Sequence, residues 1–180
     1  MEFSEVIKLR HSCRNYSNEE IDSEILQEIL DAGKFAPSAQ NRQPWRYIII
    51  KDKELIKKVA FHSIVSSINF FVKEAPVIIV ALGDTDSSLR FNGQEYYLVD
   101  VAISFQQMML AAWNRGIGSC WLAAFDEEQL RKLLDIHPKY RIVGLSPFGY
   151  PKDKNTYSKI VSFFAGSNKR KNDTKLFIYK

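Results

Sequence analysis

The sequence predicts a single folded domain in which α-helices and β-strands are mixed, in the order α, α, β, α, β, α, β, α, β. Its 180 residues, 46% hydrophobic and 26% charged, are typical of one globular domain with a substantial core. Some segments repeat apolar residues at helical spacing, and others contain the short continuous apolar runs of buried strands.

Two amphipathic helices open the chain. Phe3, Val6 and Ile7 follow one helical face. A second helix is predicted after Asp22, and its apolar residues are Ile25, Leu26, Ile29 and Leu30. Gly33 is the expected end of this helix, because glycine is common just beyond a last helical turn.

Two strands and a short helix come next. The apolar runs at residues 47–50 and 76–82 are predicted strands, and the charged stretch 53–60 between them is a predicted helix. Residues 83–94 are polar and are predicted to form a loop.

The longest predicted helix runs from Glu95 to Arg115, and Gly116 is expected to cap its C-terminal end. Its apolar stripe, which predicts a central position in the core, consists of Leu98, Val101, Ala102, Phe105, Met109 and Ala112. Strands are predicted at 119–122 and 140–147, with a helix opened by Asp126 between them.

We interpret residues 1–151 as the core of the domain and residues 152–180 as its C-terminal tail. The stretch 152–175 is polar and weakly patterned, whereas 176–179 is predicted to close the chain as a strand. A strand at the end of such a tail has enough reach to pair with another subunit and to embrace it.

Several classes of protein are disfavoured. The apolar runs are far shorter than the ~20 residues of a bilayer span, and the N-terminus lacks a signal-peptide core, so we expect a cytoplasmic protein with no membrane association. Cys13 and Cys120 are too few for a disulfide framework or a zinc site, and no metal is expected. The net charge of +4 is spread along the chain, which favours a solvated surface over nucleic-acid binding.

Arg10, Ser12 and Arg14, with His11 between them, form a candidate anion site at the end of the first helix. Guanidinium groups bind phosphate or paired carbonyl oxygens in a bidentate manner, and a serine hydroxyl adds a neutral hydrogen bond. The alternative interpretation is that the two arginines only complement the dipole at the helix C-terminus.

Four motifs in order resemble those of the nitroreductase family of FMN-dependent oxidoreductases. Residues 10–16, RHSCRNY, resemble the family segment R-(R/H)-S-x-R that ends the first helix. Residues 36–45, APSAQNRQPW, resemble the segment A-P-S-x-x-N-x-Q-P-W that joins the second helix to the first long strand. Glu-Ala-Pro at 74–76 and the long helix leading into GIGSCWLAAF at 116–125 follow, before Gly-Tyr-Pro at 149–151. The resemblance therefore covers most of the predicted core.

The resemblance implies an α+β fold, in which helices flank a central mixed, largely antiparallel sheet, and an interlocked homodimer with two FMN molecules in the subunit interface. It implies an enzyme that takes hydride from NADH or NADPH and reduces an electron-poor acceptor, such as a nitroaromatic or a quinone, by a ping-pong mechanism. Since the flavin carries the chemistry, no catalytic side chain is expected. The alternative is a non-catalytic protein that binds flavin or, through its basic residues, nucleic acid.

The resemblance also implies the FMN-binding residues. Those expected at the phosphate or the pyrimidine oxygens are Arg10, His11, Ser12, Arg14, Arg170 and Lys171. Those expected at the ring and ribityl chain, often from the second subunit, are Pro37, Ser38, Asn41 and Gln43. The backbone N–H groups of Ala123 and Ala124 are expected to face flavin N5, and Asn69 is a further flavin candidate.

Overall fold

The computed structural model describes residues 1–63, 69–152, 170–171 and 176. Its helices are α1 (Phe3–Leu9), α2 (Ser23–Lys34), α3 (Lys53–His62), α4 (Tyr96–Asn114) and α5 (Glu127–Leu133). Its strands are β1 (Trp45–Ile50), β2 (Val77–Asp84), β3 (Arg90–Phe91), β4 (Gln94–Glu95), β5 (Gly118–Ser119) and β6 (Tyr140–Gly149). Short 3-10 helices occupy Ala39–Asn41 and Phe70–Glu74.

The main sheet has the strand order β1-β2-β6-β5, and each neighbouring pair is antiparallel. A parallel bridge between Ser12 and Ser119 adds a further segment beside β5, so the sheet is mixed but largely antiparallel. Every residue of β2 is buried, as expected for a strand covered on both faces.

The two faces of the sheet pack against different helices. On one face, the β2 residues Val77, Ile79 and Ala81 share a core with α2 and α4. On the other, Ile78 and Val80 pack with α3 and α5. Since side chains alternate along a strand, one buried strand supplies both cores. The predicted α+β architecture, with a sheet flanked by helices, is confirmed.

Aspartate side chains begin three of the helices. The carboxyl of Asp22 accepts from the Glu24 N–H at 2.7 Å, that of Asp52 from Leu55 N–H at 2.7 Å, and that of Asp126 from Gln129 N–H at 3.1 Å. These bonds satisfy N–H groups that have no partner inside the helix. The helix starts predicted at Asp22 and Asp126 are therefore confirmed.

The predicted role of Gly33 is wrong. Gly33 lies within the last turn of α2, and a Cβ there would stand 2.8 Å from Sδ of Met108 and 3.1 Å from Oγ of Ser104 on α4. Its small size permits the close approach of α2 to α4. Gly116, with φ of 76°, does end α4 in the left-handed conformation, as predicted.

Two further predictions need correction. The segment 83–94, predicted as a loop, extends β2 to Asp84 and contains the β3–β4 hairpin, whose turn at Asn92 and Gly93 has positive φ at both residues. The strand predicted at 119–122 is shorter, because β5 ends at Ser119 and Leu122 only forms a separate bridge with Leu145.

The strand predicted at 176–179 lies outside the described residues except for Leu176, which is exposed. Within the described ranges, no helix combines the length and the apolarity needed to cross a bilayer.

Candidate functional site

The segment that carries the predicted anion site lies along β5. The Cys13 N–H donates to the Ser119 carbonyl at 2.9 Å, beside the parallel bridge between Ser12 and Ser119. A Cβ at Gly118 would stand 2.7 Å from Cβ of Cys13, so glycine is needed where the segment and the strand meet. This pairing fixes the backbone of residues 10–14 at the edge of the sheet.

Two arginines from distant parts of the sequence lie near enough at this edge to interact electrostatically. Arg10 is half-buried, and its pKa is lowered by burial and, after that, by the positive charge of Arg170. Arg170 and its neighbour Lys171 are exposed. Like charges are unfavourable beside each other unless an anion neutralises them. Two cations near each other are an arrangement suited to binding an anion.

Arg14 and His11 flank these groups. Arg14 is half-buried, and its Nη1 donates to the Ser12 carbonyl at 3.3 Å. Nδ1 of His11 lies 3.1 Å from the Leu9 carbonyl, and its ring meets the Trp113 ring edge-on at 4.7 Å. The predicted phosphate segment thus lies at the C-terminal end of α4, where Trp113 is located.

Cys120 is buried next to the arginine segment but does not resemble a nucleophile. Burial raises the pKa of the Cys120 thiol, and the charge of Arg14 and a hydrogen bond with Ser12 only oppose that effect. Reactive cysteines have lowered pKa values and some exposure. The thiol is therefore a small core group.

The other predicted cofactor segment, residues 37–43, is an exposed loop with unusual backbone geometry. Gln40, Asn41 and Gln43 have φ values of 52°, 55° and 48°. Oγ of Ser38 accepts from the Gln43 N–H at 3.0 Å, and Nε2 of Gln43 donates to Oδ1 of Asn41 at 3.0 Å. Pro37 is exposed at the start of the loop. Left-handed residues other than glycine cost about 1–3 kcal/mol each and cluster at functional sites.

Contacts on two sides hold this loop. The Ala39 N–H donates to Oδ1 of Asp100 on α4 at 3.0 Å, and Nη1 of Arg42 donates to the Ser88 carbonyl at 3.1 Å. Trp45, which follows the loop, is 7% exposed and packs in the core shared with α4.

The two predicted cofactor segments do not meet within one chain. The loop is attached to Asp100, whereas His11 contacts Trp113, thirteen residues further along α4. At 1.5 Å per helical residue, these contacts are about 20 Å apart along the helix axis.

Ala123 and Ala124 follow the bridge between Leu122 and Leu145, whose two backbone hydrogen bonds measure 2.8 and 3.0 Å. Both alanines are exposed, and within the described ranges their N–H groups donate to no protein acceptor. They are thus available as donors a few residues beyond the strand that pairs with the arginine segment.

Asn69 has a structural contact. Its Nδ2 donates to the Ser63 carbonyl at 2.9 Å, which joins the end of α3 to the 3-10 helix at 70–74.

A recess of about 410 Å³, which no motif predicts, borders the loop on its hairpin side. Its lining residues are Thr85, Ser88, Arg90, Glu95, Tyr97 and Arg141. Both arginines have acidic partners, since Nε of Arg90 lies 2.9 Å from Glu95 and Nε of Arg141 lies 2.8 Å from Glu127. The recess is therefore polar, but its charges are compensated.

Comparison with known proteins supplies independent information. The sequence model of the nitroreductase family matches residues 7–67 and 63–150. The chain is 33% identical to an Archaeoglobus fulgidus protein named "Putative NADH dehydrogenase/NAD(P)H nitroreductase", over 84% of this chain and 87% of that protein. A crystal structure of a nitroreductase family protein from Clostridium novyi NT is 35% identical, with a TM-score of 0.81, over 88% of this chain and 91% of that one. An FMN-dependent nitroreductase from Clostridium difficile R20291 is 26% identical, with a TM-score of 0.73, over 94% and 92% of the two chains.

Proposed function

The chain belongs to the nitroreductase family and is an NAD(P)H-dependent oxidoreductase, and we propose that it uses FMN to reduce an electron-poor acceptor such as a nitroaromatic or a quinone. The observation that carries the proposal is the placement of Arg10, Ser12 and Arg14 along β5, with the charge of Arg170 near enough to act on Arg10. Neighbouring cations suit the phosphate of FMN. Riboflavin and quinones have no phosphate and would not use them.

The remaining groups of the site also suit FMN. The amides of Asn41 and Gln43 both donate and accept, as the polar edge of the flavin ring requires. The exposed N–H groups of Ala123 and Ala124 need no particular side chain, and they would donate toward flavin N5. Bound FMN supplies the two-electron chemistry, and the protein residues bind, orient and polarise it.

The homodimer is part of the proposal, because the two cofactor segments are about 20 Å apart along α4 in one chain. A second subunit can bring its own loop 37–43 to the arginine segment of the first. An exposed apolar face on α4, formed by Leu98, Val99 and Ile103, supports this assembly. Phe3, Ile7 and Leu9 of α1 are also exposed. Contiguous exposed apolar residues of this kind mark protein interfaces.

The test is the visible spectrum of the purified protein, reconstituted with FMN and then mixed with NADH or NADPH without oxygen. We expect flavin absorption bands that bleach on addition of the reduced nucleotide. Initial rates at several concentrations of both substrates should give parallel double-reciprocal lines, because the nucleotide leaves before the acceptor binds. Intersecting lines would exclude the ping-pong order, and a colourless protein after reconstitution would exclude FMN.

A further inference from the structure

We propose that Asp100 is a positioning residue that holds the loop 37–43 in the conformation needed to bind flavin. The effect on flavin binding rests on the proposed function. The attachment of the loop to Asp100 does not depend on that function. The carboxyl of Asp100 is only 3% exposed, and its Oδ1 accepts from the Ala39 N–H at 3.0 Å.

The environment of Asp100 is not one that stabilises a carboxyl group. Its second oxygen, Oδ2, is buried without a hydrogen-bond partner in the part of the chain that the structure describes. Leaving a buried polar atom unpaired costs about 1–3 kcal/mol. Asp100 is also the one charged residue of α4. The presence of such a residue at a buried position lowers stability, so its bond to the loop is the better explanation for why it is there.

The loop needs an attachment of this kind because three of its residues are left-handed without being glycine. Its internal bonds, from Gln43 to Ser38 and from Gln43 to Asn41, join groups that solvent can reach. The bond from Ala39 to Asp100 instead joins the loop to the buried side of α4. Without it, the loop would occupy its strained conformation for a smaller fraction of the time. Affinity falls in proportion to that fraction.

The test compares three variants with the wild-type protein. Asp100→Leu keeps the branched shape of the side chain, although it is larger, and removes both the acceptor and the unpaired oxygen. Since Ala39 is only half-buried, its N–H can bond to water instead, so the fold should retain its stability. Asp100→Asn keeps an acceptor oxygen and should rescue the loop. Ser104→Ala is the control on the same helix, since it removes buried hydrogen bonds to Gly33 and Tyr47 without touching the loop.

Two measurements are made on each variant: amide hydrogen exchange across residues 38–43 in the flavin-free protein, and FMN affinity by titration. Asp100→Leu should exchange at least fivefold faster across the loop and bind FMN five- to a hundredfold more weakly. Asp100→Asn should stay within about twofold of wild type in both measurements. Ser104→Ala should lower the melting temperature without changing either.

Unchanged loop exchange in Asp100→Leu would overturn the proposal. Faster exchange with unchanged FMN affinity would overturn its flavin part. If loop exchange is faster in Asp100→Leu but the wild-type protein binds no FMN, Asp100 remains the attachment of the loop and the proposed function is rejected. The two failures are therefore distinguishable.

Discussion

Arg10 and Arg170, 160 positions apart in the sequence, lie close enough for the charge of Arg170 to lower the pKa of Arg10, second to the effect of burial. An anion bound between two neighbouring cations interacts favourably with both of them. A site of this kind should discriminate strongly between a phosphorylated ligand and the same ligand without its phosphate.

Arg10→Gln and Arg170→Gln should each weaken FMN binding by about ten- to a hundredfold, since a hydrogen bond to a charged group contributes about 1.5–3 kcal/mol. Riboflavin, which lacks the phosphate, should bind the variants and the wild type within about threefold. Fluorescence titration with both flavins measures the difference. Lys132→Gln, which removes an exposed charge on α5, is the control and should leave both affinities unchanged. Equal losses for the two flavins would place the arginines away from the phosphate.

The exposed face of α4 gives a second prediction. Ile103→Glu places a charge among Leu98, Val99 and Ala102, and burying that charge in an interface costs several kcal/mol. The variant should be monomeric at concentrations where the wild type sediments as a dimer, and it should lose FMN, because in the proposed dimer each site takes its two cofactor segments from different subunits. Gln129→Glu on the exposed side of α5 introduces the same charge as a control. A monomeric variant that keeps its flavin would show that one chain binds FMN alone.

Local signals explain how much of the fold the sequence predicts. Aspartates at 22 and 126 begin helices through bonds to the next turn, so their effect is visible in neighbouring residues. The prediction for Gly33 is wrong because the contact that requires a glycine there is with Met108, which lies on another helix and leaves no local signal. The hairpin turn at Asn92 and Gly93 did carry a recognisable signal, but its strands of two residues are too short to show alternation.

The candidate site likewise combines features that local motifs predict with features that depend on distant contacts. The motifs predict which residue types bind flavin, and the structure places Arg10, Ser12 and Arg14 together along one edge. That the loop at 37–43 contacts α4 about 20 Å along its axis from the contact made by His11 depends on the length of α4, which no motif encodes. No motif includes Asp100, and its only sequence signal is that it is a single charged residue within a largely apolar helix.

The alkaline stability of the protein should depend on Tyr47. Its hydroxyl donates to Oγ of Ser104 at 2.6 Å, and burial raises its pKa to about 12, against a smaller opposite effect of the Ser104 bond. Because the folded pKa is above the unfolded value of about 10, the fold favours the protonated hydroxyl. That stabilisation is complete below pH 10 and is lost as pH rises from about 10 towards 12.

Tyr47→Phe should therefore lower the free energy of unfolding by about 1 kcal/mol at pH 7. Between pH 7 and pH 11 the free energy of unfolding should fall less in this variant than in the wild type. Urea denaturation at pH 7, 9, 10 and 11 measures both effects. Tyr96→Phe, at the first residue of α4, is the control and should follow the wild-type curve. Curves for wild type and Tyr47→Phe that stay parallel up to pH 11 would mean that another group controls the alkaline loss.

The last prediction concerns the packing between the sheet and the start of α4. Gly83 is paired with Trp45 in the sheet, and a Cβ there would overlap the ring of Tyr97, which is 7% exposed. Since a buried aromatic ring has little room to move, Gly83→Ala should destabilise the protein by about 1–3 kcal/mol. Tyr97 also donates its N–H to Oγ of Ser88 at 2.8 Å, so the strain should spread to the wall of the recess.

A double-mutant cycle with Tyr97→Leu separates this overlap from other effects of the alanine. If the ring is the obstacle, Gly83→Ala should cost at least 1 kcal/mol less when Leu replaces Tyr97, a coupling within the range found for residues in contact. Urea denaturation of the four proteins gives the coupling directly. If the two losses of unfolding free energy are additive, Gly83 is needed for the backbone of β2 and not for the space taken by the Tyr97 ring. The hairpin side of the recess would then not depend on the contact between Gly83 and Tyr97.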